Sequence, residues 1–151
     1  MKLSEPQTIV SQDERRFRVL VTGRRFGKTT LAIREVCYVA RTPGRVCWIV
    51  CPSYRQAKQI SWIKLKQILQ DLRWVKKINE AELTITLKNG SRICLRGADN
   101  PDSLRGVGID FLVMDECADI EESAWTTVLR PTLSDTKGRA MFIGTPKGMN
   151  W

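Results

Sequence analysis

The sequence predicts an α/β domain with a mostly parallel β-sheet flanked by helices and carrying one antiparallel hairpin. Three observations lead there. Short apolar runs of strand length alternate with segments of helix length, the glycine-rich stretch TGRRFGKTT at 22–30 stands between a β-rich run and a helix-forming one, and the apolar run DFLVMDE at 110–116 ends in two adjacent carboxylates. Strands separated by helical crossovers are the arrangement that buries both faces of a parallel sheet.

The elements follow in chain order. A first strand is expected over 18–22 and a helix over 28–40, where KTTLAIREVCYVA begins directly after Gly27. VCWIVC at 46–51 is a strand candidate on composition and length. A helix is expected over about 55–72, with Ile60, Ile63, Ile68 and Leu72 as an irregular apolar stripe and Arg55, Lys58, Lys64 and Lys66 as a basic side. LTITLKNGSRICL at 83–95 alternates on both sides of Asn89-Gly90, the dipeptide that suits a type I′ turn, so it reads as a hairpin inserted as an antiparallel element. Asn100-Pro101-Asp102 marks a turn ahead of a strand at 111–114. A helix over 121–129 should stop before Pro131, and a last strand is expected over 140–143.

Composition bounds the rest. With 151 residues and 42% hydrophobic content the chain holds a single domain, 1–151, with a real core. Lys and Arg outnumber Asp and Glu by 25 to 16, a formal charge of +9 that favours a polyanionic partner such as nucleic acid. Five cysteines without CxxC spacing, in a chain with no His, read as reduced core thiols and argue against a zinc site. Cys47 and Cys51 are an even number of positions apart and should share one strand face. No apolar run is long enough for a membrane span, and the N-terminus lacks the apolar region of a secretory signal.

The two motifs carry the chemistry. In TGRRFGKTT, Gly23 and Gly27 let backbone N–H groups curl toward phosphate oxygens, and the helix that starts near Lys28 offers its positive end to the anion. Thr22, Arg24, Arg25, Phe26 and Thr30 complete the nucleotide-binding loop, although the usual pattern has Gly where Thr22 stands. Lys28 can reach the β and γ phosphates of ATP, and the Thr29 hydroxyl can ligate Mg2+. On the second motif, Asp115 is placed to hold the magnesium through its water shell, and Glu116 to orient and polarise the attacking water. Neighbouring side chains on a strand face opposite ways, so Glu116 must sit just past the strand end to share the cleft. Another strand candidate, RVCWIVCP, lies between the motifs. In P-loop enzymes whose catalytic Glu follows the metal-associated Asp, a strand is inserted between the two motif strands, which fits Glu116. Together these features describe a P-loop NTPase of the inserted-strand, catalytic-glutamate division.

Across nearly its whole length the sequence also resembles the ATPase domain of the large terminase subunit of tailed double-stranded DNA bacteriophages. The resemblance rests on GRRFGKT at 23–29, CPSYRQAKQISW at 51–62, DSLRG at 102–106, LVMDECADI at 112–120 and IGTPKG at 143–148. It implies a motor that hydrolyses ATP to drive duplex DNA into a procapsid. It implies a γ-phosphate contact for Arg24, an arginine offered to the neighbouring subunit's ATP for Arg105, and a γ-phosphate-sensing coupling role for Thr145. It also implies adenine recognition by Gln7, for which Gln12 is a competitor. The partners implied are double-stranded DNA, the portal protein and the small terminase subunit, in a homo-oligomeric ring acting in the host cytoplasm at the portal.

Full-length large terminases continue into a ribonuclease H-type nuclease domain, whereas this sequence stops at Trp151, so no DNA cleavage is expected of it. Two other readings share the motifs. A helicase or DNA-repair ATPase has the same cradle and carboxylates but normally carries a second motor domain, and a non-catalytic nucleotide- or DNA-binding fragment would bind ATP without turnover.

Overall fold

The computed structural model describes residues 17–21, 27–99, 104, 108–134 and 136–144. In chain order the elements are β1 (Phe17–Val21), α1 (Lys28–Ala40), β2 (Val46–Cys51), α2 (54–71), β3 (Val75–Asn79), β4 (Thr84–Leu87), β5 (Arg92–Gly97), β6 (Phe111–Asp115), α3 (124–134) and β7 (Arg139–Gly144). The strands form one sheet in the order β1-β7-β6-β2-β5-β4-β3. The first five in that order are parallel, and β4 and β3 extend the sheet as antiparallel strands.

This is the mostly parallel sheet with an antiparallel extension that the sequence predicts. The strand lying between β1 and β6 is β7, however, and β2 lies on the far side of β6. The inserted strand is therefore the last in the chain, and not the RVCWIVCP run that lies between the motifs in sequence. β3 is an addition. Its sequence VKKIN shows no apolar alternation, because Lys76 and Lys77 are both exposed on the outermost strand, where lysines discourage pairing with another chain.

The sheet separates two cores. On one side Cys47, Ile49, Cys51, Phe111, Val113, Met141 and Ile143 pack with α1 and α2. On the other, Trp48, Val50, Leu112, Met114, Ala140 and Phe142 pack with α3 and with Cys117 and Ile120. Cys47 and Cys51 do share a face. All five cysteines are free and buried, and burial pushes the thiol of Cys37 up to about 11 and that of Cys51 up to about 12.

α2 differs from its expected stripe. Its buried residues are Ala57, Ser61, Trp62, Leu65 and Leu69, whereas Ile60 and Ile63 are mostly exposed. The spacing 57-61-65-69 exceeds the 3.6 residues of an α-turn. A wider π-helical stretch at Ala57–Trp62 takes up the difference and keeps these positions on one face. α3 also departs from expectation: it runs through Pro131 to Ser134 instead of ending at Leu129. A π-helical stretch at Ala124–Leu129 precedes the proline, and such a widened turn relaxes the crowding a proline ring imposes on the preceding turn.

The hairpin between β4 and β5 is present, but its connection is the three-residue loop 88–90. Gly90 has φ 88, while Asn89 is not left-handed, which is the pattern of a type I turn followed by a left-handed glycine instead of the two-residue type I′ turn. Asn89 is engaged elsewhere. Its Nδ2 donates to the carbonyls of Ala40 at 2.8 Å and Arg41 at 3.1 Å, and its Oδ1 accepts from the Ser91 N–H. The hairpin tip thereby caps the carboxyl end of α1. Asn89→Ala is expected to cost about 1 kcal/mol of stability, measured by urea denaturation with an unchanged m-value. The predicted turn at Asn100-Pro101-Asp102 lies outside the described residues.

Candidate nucleotide site

Parallel pairing brings the carboxyl ends of three strands to one edge of the sheet. Val21 of β1 registers with Gly144 of β7, and Ile143 of β7 with Asp115 of β6. The carboxyl ends of β1, β6 and β7, with Asp115 at the end of β6, therefore lie side by side, at the edge where open α/β sheets hold ligands.

Gly27 precedes α1 in the left-handed conformation, φ 76 and ψ 39, and its carbonyl accepts the first helical hydrogen bond from Leu31 N–H at 3.1 Å. A side chain at this position would be strained. The turn delivers Lys28, Thr29 and Thr30 onto the first turn of a 13-residue helix, whose unpaired N–H groups and dipole favour an anion. The Lys28 ammonium group donates to Glu116 Oε1, pairing the two motifs across 88 positions of sequence.

Asp115 is the last residue of β6, and Glu116 follows it with φ 52 and ψ 50. The left-handed backbone is uncommon for a residue other than glycine and is the means by which Glu116 faces Lys28 immediately beyond the strand end. Asp115 Oδ1 is buried and has no hydrogen-bond partner among the described residues. Burial raises the Asp115 carboxyl above its ordinary range. The Lys28 ammonium opposes that rise, the charge of Glu116 adds to it, and a backbone hydrogen bond from Glu116 opposes it.

A buried carboxylate oxygen lacking a protein donor, beside a helix N-terminus, fits a magnesium–nucleotide complex. Magnesium is usually held by one or two carboxylates, with waters and substrate phosphates supplying the remaining oxygens. Among the described residues no group of three or more His, Cys, Asp or Glu side chains forms a protein-only metal cage, and the phosphate-assisted mode does not need one.

Of the predicted site residues, Gly27, Lys28, Thr29, Thr30, Asp115 and Glu116 are described and lie at this edge. Gln7, Thr22, Gly23, Arg24, Arg25, Phe26, Arg105 and Thr145 lie outside the described residues. One neighbour of the site went unassigned in the sequence. Lys64 of α2 donates its ammonium group to the Thr30 hydroxyl, a contact created by the packing of α2 beside α1 and signalled by no motif.

The family model for the terminase large subunit, T4likevirus-type, N-terminal, matches residues 19–151. The chain belongs to the terminase large subunit family. It is similar to the terminase large subunit of Thermus phage G20c, with 30% identity over 164 residues covering 96% of this chain and 34% of that protein. With that of Escherichia phage T5 it shares 32% identity over 139 residues, covering 90% of this chain and 32% of the relative. This terminase chain thus spans about a third of the length of these relatives. Among solved structures it resembles the Thermus phage P74-26 large terminase ATPase domain, with a TM-score of 0.84 and 30% identity, covering 99% of this chain and 67% of that one. The large terminase of a thermophilic bacteriophage, solved in complex with ADP, shares the fold at a TM-score of 0.78 and 18% identity, covering 95% of this chain and 39% of that one.

Proposed function

We propose that the chain is the ATP-hydrolysing motor domain of a phage terminase large subunit, driving double-stranded DNA into a procapsid. The observation that carries this reading is the meeting of Lys28 and Glu116 beside the buried oxygen of Asp115, which has no partner among the described residues. It joins the phosphate-binding and acid motifs of a family to which the chain belongs.

Lys28 and the first N–H groups of α1 bind the β and γ phosphates, with Gly27 keeping the approach open. Thr29 and Asp115 would hold the magnesium ion, which when bound would draw charge off the phosphate oxygens. Glu116 orients the attacking water and accepts its proton. Lys28 is paired with Glu116. Phosphates compete for the same ammonium group, so nucleotide binding frees the carboxylate to act on water. Arg24 stabilises charge on the transferred phosphoryl group, Thr145 senses its loss, and Gln7 recognises adenine. Arg105 acts in trans on the ATP of a neighbouring subunit, in a homo-oligomeric ring that engages the portal protein and the small terminase subunit in the host cytoplasm. Among the described residues no helix is long and apolar enough to cross a membrane.

Phosphate release from Mg-ATP, followed against chain concentration, tests the proposal. Turnover rising faster than linearly, and lost in Arg105→Ala, is the expected result for a ring with an arginine supplied in trans. Strict proportionality with no effect of Arg105→Ala removes the trans arginine and keeps the ATPase. No turnover at any concentration removes the ATPase reading for this chain.

A further inference from the structure

A second charged site lies at the other end of the domain. α1 begins at the phosphate loop with Lys28 and is followed by Arg41 at its opposite end, about 20 Å away at 1.5 Å per residue. There the ends of α1 and α2 and the β4–β5 turn enclose a cleft of about 300 Å3 lined by Arg41, Arg73, Trp74, Leu87, Lys88 and Asn89. Three of these six side chains are cationic and none is anionic. Ion pairs elsewhere join Arg18 to Glu35, Arg45 to Asp110 and Lys66 to Glu80. By contrast, none of the three cleft cations has a carboxylate within ion-pair distance among the described residues.

Helix carboxyl ends attract cations, but here the backbone is already capped. Asn89 takes the carbonyls of Ala40 and Arg41. At the end of α2, Arg73 N–H donates to Gln70 and Trp74 N–H to Leu69. The cationic heads are therefore not engaged in closing the helices. The Arg41 guanidinium lies 4.4 Å from the centre of the Tyr38 ring, a face that is itself largely exposed, and this stacking orients it at the surface. Arg73 occupies the left-handed exit from α2 with φ 59, a position where glycine is unstrained and an L side chain is not. The arginine there presents its guanidinium beside two further unneutralised cations despite the backbone it has to adopt.

We propose that this cleft binds the phosphodiester backbone of duplex DNA. Arginine forks match phosphate oxygens in pairs, and Lys88 adds a third positive charge. The partially buried Trp74 gives the cleft an apolar wall against which a sugar can lie. The net charge of +9 draws a polyanion to the protein. Naming DNA as the polyanion rests on the proposed packaging function; the clustering of charge does not.

The test is titration of a fluorescent duplex of mixed sequence with the 151-residue chain over about 50 to 200 mM salt. The triple variant R41A/R73G/K88A is expected to bind about tenfold or more weakly near 0.1 M salt, with a log–log salt slope shallower by roughly 2 to 3. Arg73→Gly alone should weaken binding while melting at the same temperature as the wild type or higher, which separates lost contact from lost fold. The charge-matched variant R55A/K58A/R130A should bind nearly as the wild type does. Equal weakening in both triple variants overturns the cleft, because the loss then tracks net charge and not place. A wild type that hydrolyses ATP but binds no duplex at low salt overturns the DNA reading and leaves the nucleotide site standing.

Discussion

In the Glu116→Gln variant, ATP hydrolysis is expected to fall about 10²- to 10⁴-fold while nucleotide binding is retained or tightened. Glutamine keeps the length of the side chain and can still position a water, but it cannot take the proton. It also removes the carboxylate that pairs with Lys28, so the ammonium group is released for phosphate. Phosphate release gives the rate and a fluorescent-ADP titration the affinity. Wild-type turnover in this variant would sink the assignment of Glu116. The backbone supplies a second readout, since Glu116 is left-handed at φ 52, a conformation that costs an L residue roughly 1–2 kcal/mol. Glu116→Gly should therefore be as inactive as the Gln variant yet melt at a higher temperature, showing that the native side chain is kept at a cost in stability.

That strain was partly foreseeable. Strand alternation requires consecutive side chains to diverge, so two acids serving one cleft demand a turn between them, and the sequence placed Glu116 beyond the strand end for that reason. α1 was readable to the residue because Gly27 and the apolar pattern after it are local signals. What escaped depended on distant contacts. VKKIN looks like solvated chain until β4 supplies its ladder. The face of α2 could not be read at a 3.6-residue period because the helix widens at Ala57–Trp62, and Ile60 and Ile63 are left outside. Order within the sheet is likewise non-local. β7 enters between β1 and β6, and nothing within RAMFIG says so. Asn89-Gly90 marked the hairpin correctly, but the loop type was decided by the end of α1, which takes the Asn89 amide. The link between Lys28 and Glu116 was legible as two motifs of one site, whereas the Lys64 contact to Thr30 exists only once two helices pack.

Asp115→Asn should separate metal-free stability from function in opposite directions. Asp115 Oδ1 is buried without a donor among the described residues, and burial holds its carboxyl above the usual range. An acid whose folded-state pKa exceeds its unfolded value contributes stability that is complete below the unfolded pKa and is lost as pH rises through the folded pKa. Once pH has risen through the folded pKa without magnesium that contribution is gone, and asparagine, uncharged at every pH, avoids the loss. The variant should then be more stable by on the order of 1 kcal/mol, about 2–4 °C in Tm. The difference should shrink as pH is lowered toward the carboxylate range, where the wild-type acid becomes neutral. Magnesium and nucleotide reverse the order. They offset the buried charge of Asp115 and stabilise the wild type by mass action, while the variant gains less and loses about 10- to 100-fold in activity, as outer-shell metal partners do. Thermal melting across pH, with and without Mg-ADP, reads all of this in one series. A metal-free variant less stable than the wild type at neutral pH would instead mean that Asp115 is neutralised by the protein itself, leaving no uncompensated charge for a cation to offset.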